Sequence, residues 1–393
     1  MIAREIKPGI QLIASVHWER RLFDSLIPLP EGTSYNAYLV KGSEATAIID
    51  ATDPELSNDL MSQLEGVEKI DYIVSNHTEQ DHSGVIPELI EKYPEAQILC
   101  SAKAQEMLST HIGLPEERFR VVKDGETVSL GDKTLRFVYT PWVHWPETMS
   151  TFVPESKILF SCDFFGSHLA TSDTFVTDKA ETFRAAKRYY AEIMMPFRAA
   201  IINNIKKLEP LDFDMIAPSH GPVHQDPGFI LEAYRKWISP QVANEVCLPY
   251  ITMHGSTKLM VDHLADALVK RGVKVHVFDL NVTDIGDLAM SLVDAATLIA
   301  AAPTVHVNAH PKLVYAAYVA NMVRPKVKYA AIIGSYGWAT KQVEQIAGLI
   351  PNIKAEVLGS IMQKGLPTAE TFAQLDALAD AVAKAHAEDP DVV

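Results

Sequence analysis

Up to about residue 240, apolar residues come in short runs broken by turn-forming residues, a rhythm of brief strands with helices between some of them. Residues 33–40 (TSYNAYLV) alternate as a half-buried strand does, and residues 46–50 and 71–75 read as buried strands that each close on a polar residue. Further strands are expected at 97–100, 119–122, 135–139, 157–160 and 214–217, with helices over 181–193 and 201–208. From about residue 246 the pattern becomes a regular strand–helix alternation. Strands are expected at 246–250, 274–280, 297–301, 328–333 and 353–359; each of the first four is followed by a plausible helix, and residues 368–387 supply a fifth. Near-continuous apolar strands alternating with helices imply a parallel sheet covered on both faces. The stretch Ser239-Pro240-Gln241-Val242-Ala243-Asn244 reads as the seam, which predicts two domains, residues 1–243 and 244–393. No internal repeat or low-complexity segment is evident.

Composition narrows the class. The chain has 393 residues, 48% hydrophobic and 22% charged, as globular proteins do. Its formal net charge of -15 argues against nucleic acid or an anionic membrane surface as partner. The start, Met1-Ile2-Ala3-Arg4-Glu5-Ile6-Lys7, lacks the apolar stretch of a signal peptide, and no apolar run reaches the roughly 18–20 residues that cross a bilayer. Cys100, Cys162 and Cys247 are far apart, which excludes a C-x-x-C metal site and argues against a disulfide framework. A reducing cytoplasm is the expected address.

The candidate chemistry begins where the strand at 71–75 stops. His77-Thr78-Glu79-Gln80-Asp81-His82 offers four metal-ligand types within six residues. In a roughly extended segment residues two apart face the same way, so His77 and Glu79 would serve one metal, with Asp81 and His82 turned toward another. His144, Asp163 and His220 stand at similar strand ends. Any one of these taken alone reads more readily as structural, and a short charged run after a strand as a solvated turn; the recurrence favours metal. His17, His111, His168, His224, His263, His276, His306, His310 and His386 lack such a setting and read as structural or surface residues.

The order H-x-E-x-D-H, distant His, Asp, His resembles the metallo-β-lactamase superfamily across most of the first part of the chain. Glu79 stands where that superfamily has a second His, and carboxylate for imidazole makes a harder, oxygen-rich site suited to a redox-active iron pair. The resemblance thereby narrows to the flavodiiron proteins, or A-type flavoproteins. It implies an α/β chain with an αββα sandwich first. By that resemblance His77, Glu79 and His144 bind one iron, Asp81, His82 and His220 surround the other, and Asp163 bridges them. In some family members the residue equivalent to His82 points away from the metal.

The second part offers three loops at strand ends, where doubly wound sheets bind ligands. Thr252-Met253-His254-Gly255-Ser256-Thr257 lies between a strand and a helix, and hydroxyls with backbone N–H groups at a helix start can cradle a phosphate. Taken alone, such a turn is more often only a capped helix start. The second loop holds Pro303, Thr304, Val305 and Asn308, and the third Ser335, Tyr336, Gly337 and Trp338, with aromatic faces for a ring. Together they resemble the FMN site of a flavodoxin-like, five-stranded parallel sheet. His254 departs from the Trp or Tyr that many flavodiiron proteins place there.

What the resemblance implies is an oxidoreductase that reduces dioxygen to water, nitric oxide to nitrous oxide, or both, using FMN and two irons. It implies a head-to-tail homodimer, or a dimer of dimers, in which one subunit's flavin approaches the other's iron. The chain ends soon after the flavodoxin-like part, so a separate donor is expected, such as rubredoxin or reduced coenzyme F420. Many relatives carry a His in an F-H-G-type segment near the substrate pocket, where this chain reads Leu22-Phe23-Asp24-Ser25. Tyr189 and Tyr190 are candidates for a hydrogen bond to substrate. The rival readings are a zinc-dependent metallo-hydrolase with an accessory flavodoxin-like domain, which Glu79 opposes, and an electron carrier with an inactive first domain, which the full ligand set opposes.

Overall fold

A computed structural model describes residues 2–393. By contacts these fall into two units: residues up to Tyr189 with Phe197–Ile238, and Tyr190–Pro196 with Ser239–Val393. No helix among the described residues is long and apolar enough to cross a membrane.

The first unit is built on a seven-stranded and a five-stranded sheet. In the larger sheet Arg4–Lys7, Ile10–His17, Thr33–Lys41 and Thr46–Ile49 pair antiparallel in turn, and Tyr72–Val74, Gln97–Cys100 and Phe119–Val121 follow in parallel. The first two strands were not expected from the sequence. Ile10–His17 is buried on both faces, which blurs its alternation. Ile10, Leu12, Ala14 and Val16 join Phe137 and Phe160 in the core between the sheets, while Ile13 joins Leu60, Leu89 and Leu108 beneath the outer helices. The smaller sheet runs Thr127–Ser129, Thr134–Tyr139, Met149–Val153, Ile158–Cys162, Met215–Pro218, its last pair parallel. Helices Ser57–Gln63, Ile86–Lys92 and Ala102–His111 form one outer layer, and Lys179–Tyr189, Arg198–Leu208 and Pro227–Ile238 the other, completing an αββα sandwich.

Two local differences matter for the site. Gln80–Ser83 forms a helical turn, so Asp81 and His82 are not in an extended segment. The helix expected over 181–193 is α-helical only to Tyr189, and Tyr190–Met194 continues as a π-helical turn.

In the second unit Ala243–Tyr250, Lys274–Asp279, Ala295–Val305, Tyr329–Tyr336 and Glu356–Lys364 form a parallel sheet in the order second, first, third, fourth, fifth, the flavodoxin-like arrangement. Neighbouring residues serve opposite cores: Ile299 and Ala301 face Met260, Leu264 and Leu375, whereas Ala300 and Ala302 face Leu313 and Ile346. The third and fourth strands run past the ends expected from sequence, so residues 302–305 and 334–336 are strand and not loop. Asn308–Ala309 turns back to pair with Thr304 and Val305, making a sixth, antiparallel strand.

Candidate di-metal centre and flavin cleft

In the first unit the ligand candidates lie on loops and a helical turn beyond strand ends, and His144, expected at a strand end, lies midway along the loop between Thr134–Tyr139 and Met149–Val153. Asp50, just after Thr46–Ile49, accepts from Asn76 N (2.8 Å) and Nδ2 (3.0 Å), fixing the loop that leads into His77. Ser83 Oγ donates to the carbonyls of Thr78 (2.8 Å) and Glu79 (3.0 Å), which closes the helical turn under the loop. Asp163 directly follows Ile158–Cys162, and His220 follows Met215–Pro218 with Ser219 between. The His220 loop is braced from Thr33–Lys41: Asn36 Nδ2 donates to the carbonyls of Pro218 (3.0 Å) and Gly221 (2.7 Å), and Ser34 Oγ accepts from Gly221 N (2.8 Å).

The side chains converge in two groups that share Asp163. Its Oδ2 lies 3.4 Å from His77 Nε2 and 3.3 Å from His144 Nε2, and Glu79 Oε2 stands 3.2 and 3.1 Å from the same two nitrogens. Its Oδ1 lies 2.9 Å from His82 Nε2 and 3.2 Å from His220 Nε2, with Asp81 Oδ2 at 3.2 and 3.4 Å from those rings. The donor atoms of His77, Glu79, His144 and Asp163 lie within 4.8 Å of one another, as do those of Asp81, His82 and His220. The oxygens of Asp81 and Asp163 and both ring nitrogens of His82 are buried without a hydrogen-bond partner among the described residues. Buried carboxylates without hydrogen bonds are costly, and carboxylates and ring nitrogens that converge with so few hydrogen bonds among them are arranged for a cation. An N/O set with one shared carboxylate fits two iron ions.

The electrostatics agree. Burial would lower the pKa of His220, but Asp163 and Asp81 facing its ring push it up to about 10; His144 is likewise held at about 9 against its burial by Asp163 and Glu79. For Asp163, burial is outweighed by four surrounding imidazoles, which hold it well below the carboxylate range. A bound cation would take the place of those protons.

The sequence singles out Tyr189, Tyr190 and Asp24, and does not assign Glu147, His168 or Cys162 to the site. Glu147, three residues after His144, accepts from His77 Nδ1 at 2.7 Å. His168 is buried against His220 and Tyr189, with ring centroids 4.8 Å from each; burial and the His220 charge hold its pKa well below the usual value. Tyr189 is buried with its ring 5.7 Å from that of His220, whereas Tyr190 opens the π-helical turn and groups by contacts with the second unit. Asp24 is exposed by surface area yet feels the site: partial burial, then Glu79 and Asp81, push its carboxyl to about 6. Cys162, beside His82 and Asp163, is kept protonated by burial and by the carboxylates of Asp50 and Asp163.

In the second unit Thr252, Met253, His254, Ser256, Pro303, Thr304, Ser335, Tyr336 and Gly337 line one cleft, joined by Gly365, which no sequence signal marked. Gly255 caps the helix Ser256–Lys270 at φ +91°, a conformation that favours glycine, and its N–H reaches Thr252 Oγ1. Thr257 lies beneath, its hydroxyl 3.0 Å from that of Ser335, tying the first loop to the fourth strand. Val305, Asn308 and Trp338 are not among the lining residues, and Trp338 is 74% exposed. A helix start with hydroxyls and no lining cation suits the phosphate of a flavin mononucleotide.

Known proteins show the family. Residues 33–221 match the family model described as the ODP family beta lactamase. A nitric oxide reductase of Moorella thermoacetica is 36% identical over 344 residues, 85% of this chain and 86% of that protein. A coenzyme F420H(2) oxidase of Methanothermobacter marburgensis is 36% identical over 324 residues, 79% and 80% of the two chains. The rubredoxin oxygen:oxidoreductase of Desulfovibrio gigas superposes with a TM-score of 0.94 at 29% identity, covering 98% of each chain. The chain belongs to the flavodiiron, or A-type flavoprotein, family of oxidoreductases, whose cofactors are FMN and two irons.

Proposed function

We propose that this protein reduces dioxygen to water, nitric oxide to nitrous oxide, or both, with electrons relayed through FMN from a separate donor. The observation that carries the reading is Asp163, whose two oxygens each face a different pair of imidazoles. When bound, the irons and flavin supply the one- and two-electron redox capacity such a reduction consumes.

The chain's own residues divide the remaining work. His77, Glu79 and His144 would hold one iron, Asp81, His82 and His220 the other, and Asp163 would join them. Ser34 O accepts from His220 Nδ1 at 2.8 Å, so Nε2 is the nitrogen left for metal. Buried Tyr189 and His168, with exposed Asp24, are polar groups near the site that would orient a small gas or relay a proton to it. Thr252, Ser256 and Thr304 would hold the flavin phosphate, and Tyr336 would flank the ring. The proposed division of labour is residues 1–243 for iron and 244–393 for FMN, acting in a head-to-tail dimer within the cytoplasm.

Relatives named for F420H(2) and for rubredoxin support either as donor class. Iron, zinc and FMN analysis of the anaerobically purified protein, with turnover tested on each donor under each gas, checks the reading. Iron with FMN and gas-dependent donor oxidation are expected. Zinc without iron would instead favour the hydrolase reading.

A further inference from the structure

The two metal positions are not supported alike behind their ligands. Glu147 is buried, and its Oε1 collects three donors: His77 Nδ1 at 2.7 Å, Thr78 Oγ1 at 2.8 Å and Thr78 N at 3.1 Å. Its backbone carbonyl accepts from Ser101 Oγ at 2.9 Å, the residue that caps the helix Ala102–His111. One side chain thus fastens the loop carrying His77 and Glu79 to the loop carrying His144. Across the site the corresponding supports are weaker. His220 Nδ1 donates to a neutral carbonyl, Ser34 O, and His82 Nδ1 has no hydrogen-bond partner among the described residues.

A carboxylate behind a ligating imidazole fixes its tautomer and makes its free nitrogen more basic, and it adds negative charge near the cation. The His77 position therefore has Glu79 and the shared Asp163 as ligands with Glu147 hydrogen-bonded one bond behind, whereas the other has Asp81 and Asp163 as ligands and a buried Asp50 nearby that hydrogen-bonds neither of its rings.

Resting on the di-iron reading above, we infer that Glu147 is a positioning residue that makes the His77/Glu79/His144 position the tighter of the two, so that the Asp81/His82/His220 position empties first. The test strips metal from the two-iron holoprotein with increasing chelator and follows iron per chain. Two release steps are expected, separated by about 10–100-fold in chelator concentration. The retained equivalent should survive in His220→Gln and be missing in His144→Gln. Glu147→Gln keeps the shape without the charge and should bring the two steps together, while circular dichroism reports that the chain is folded. Should that variant not fold, the order of release in the wild type and the two histidine variants still decides. Simultaneous release, a retained metal that depends on His220, or an unchanged gap in folded Glu147→Gln would overturn the inference. A wild-type chain that never takes up two irons would overturn the di-iron reading itself.

Discussion

Glu79 is where the choice of metal is concentrated. Its carboxylate meets both His77 and His144, and burial is outweighed by those two rings in holding it below the usual carboxylate range. Replacing it by His restores an imidazole-rich set, so Glu79→His should shift the iron-to-zinc ratio of purified protein toward zinc by about tenfold, measured by elemental analysis. A second residue-scale prediction concerns His224, which is buried, donates from Nε2 to Phe165 O at 3.0 Å, and is lowered by its burial to about 4. The folded pKa lies below the unfolded value, so the unfolded chain binds the proton first. Stability from the neutral ring is present above about pH 6.5 and falls as pH drops toward 4, by up to on the order of 3 kcal/mol. Urea unfolding in one metal state at pH 7.5 and 4.5 should show a smaller loss for His224→Gln than for the wild type. The seven ligand candidates were legible because each is a chemistry-bearing residue just past an apolar run. Glu147 and His168 were not, since a buried carboxylate or imidazole declares its role only through a partner distant in sequence.

Elements decide whether these residues stay in place. The strand Thr33–Lys41 is a rib of the sheet and also the brace for the His220 loop, through Ser34 and Asn36. Asn36→Ala leaves the buried Gly221 carbonyl without its donor, while Pro218 O keeps the Tyr38 hydroxyl at 2.6 Å, and should cost about 1–3 kcal/mol of unfolding free energy. It should also loosen iron at His220, seen as fewer irons per chain. In the second unit Thr257→Val removes the bond to Ser335 that ties two sides of the flavin cleft, and titration with FMN should show an affinity lower by about tenfold. Strand and helix types were readable from period and length. The helical turn Gln80–Ser83 was not, because four polar residues carry no apolar period. Nor were the ends of Ala295–Val305 and Tyr329–Tyr336, because pairing to neighbouring strands extends them into residues that read as loop.

At the scale of the molecule, the chain joins a metal-ligating sandwich to a flavin-binding sheet, and function requires electrons to pass from one to the other. A head-to-tail dimer is the proposed arrangement, and a solution monomer with full turnover would contradict it. The most direct test of the whole account is to reduce the holoprotein anaerobically and mix it rapidly with dioxygen or with nitric oxide, following flavin absorbance and product. The account predicts rapid reoxidation by at least one gas, slowed by about 100-fold or more in Asp163→Ala that still holds FMN. Slow reoxidation by both gases, or the same rate without Asp163, would contradict it.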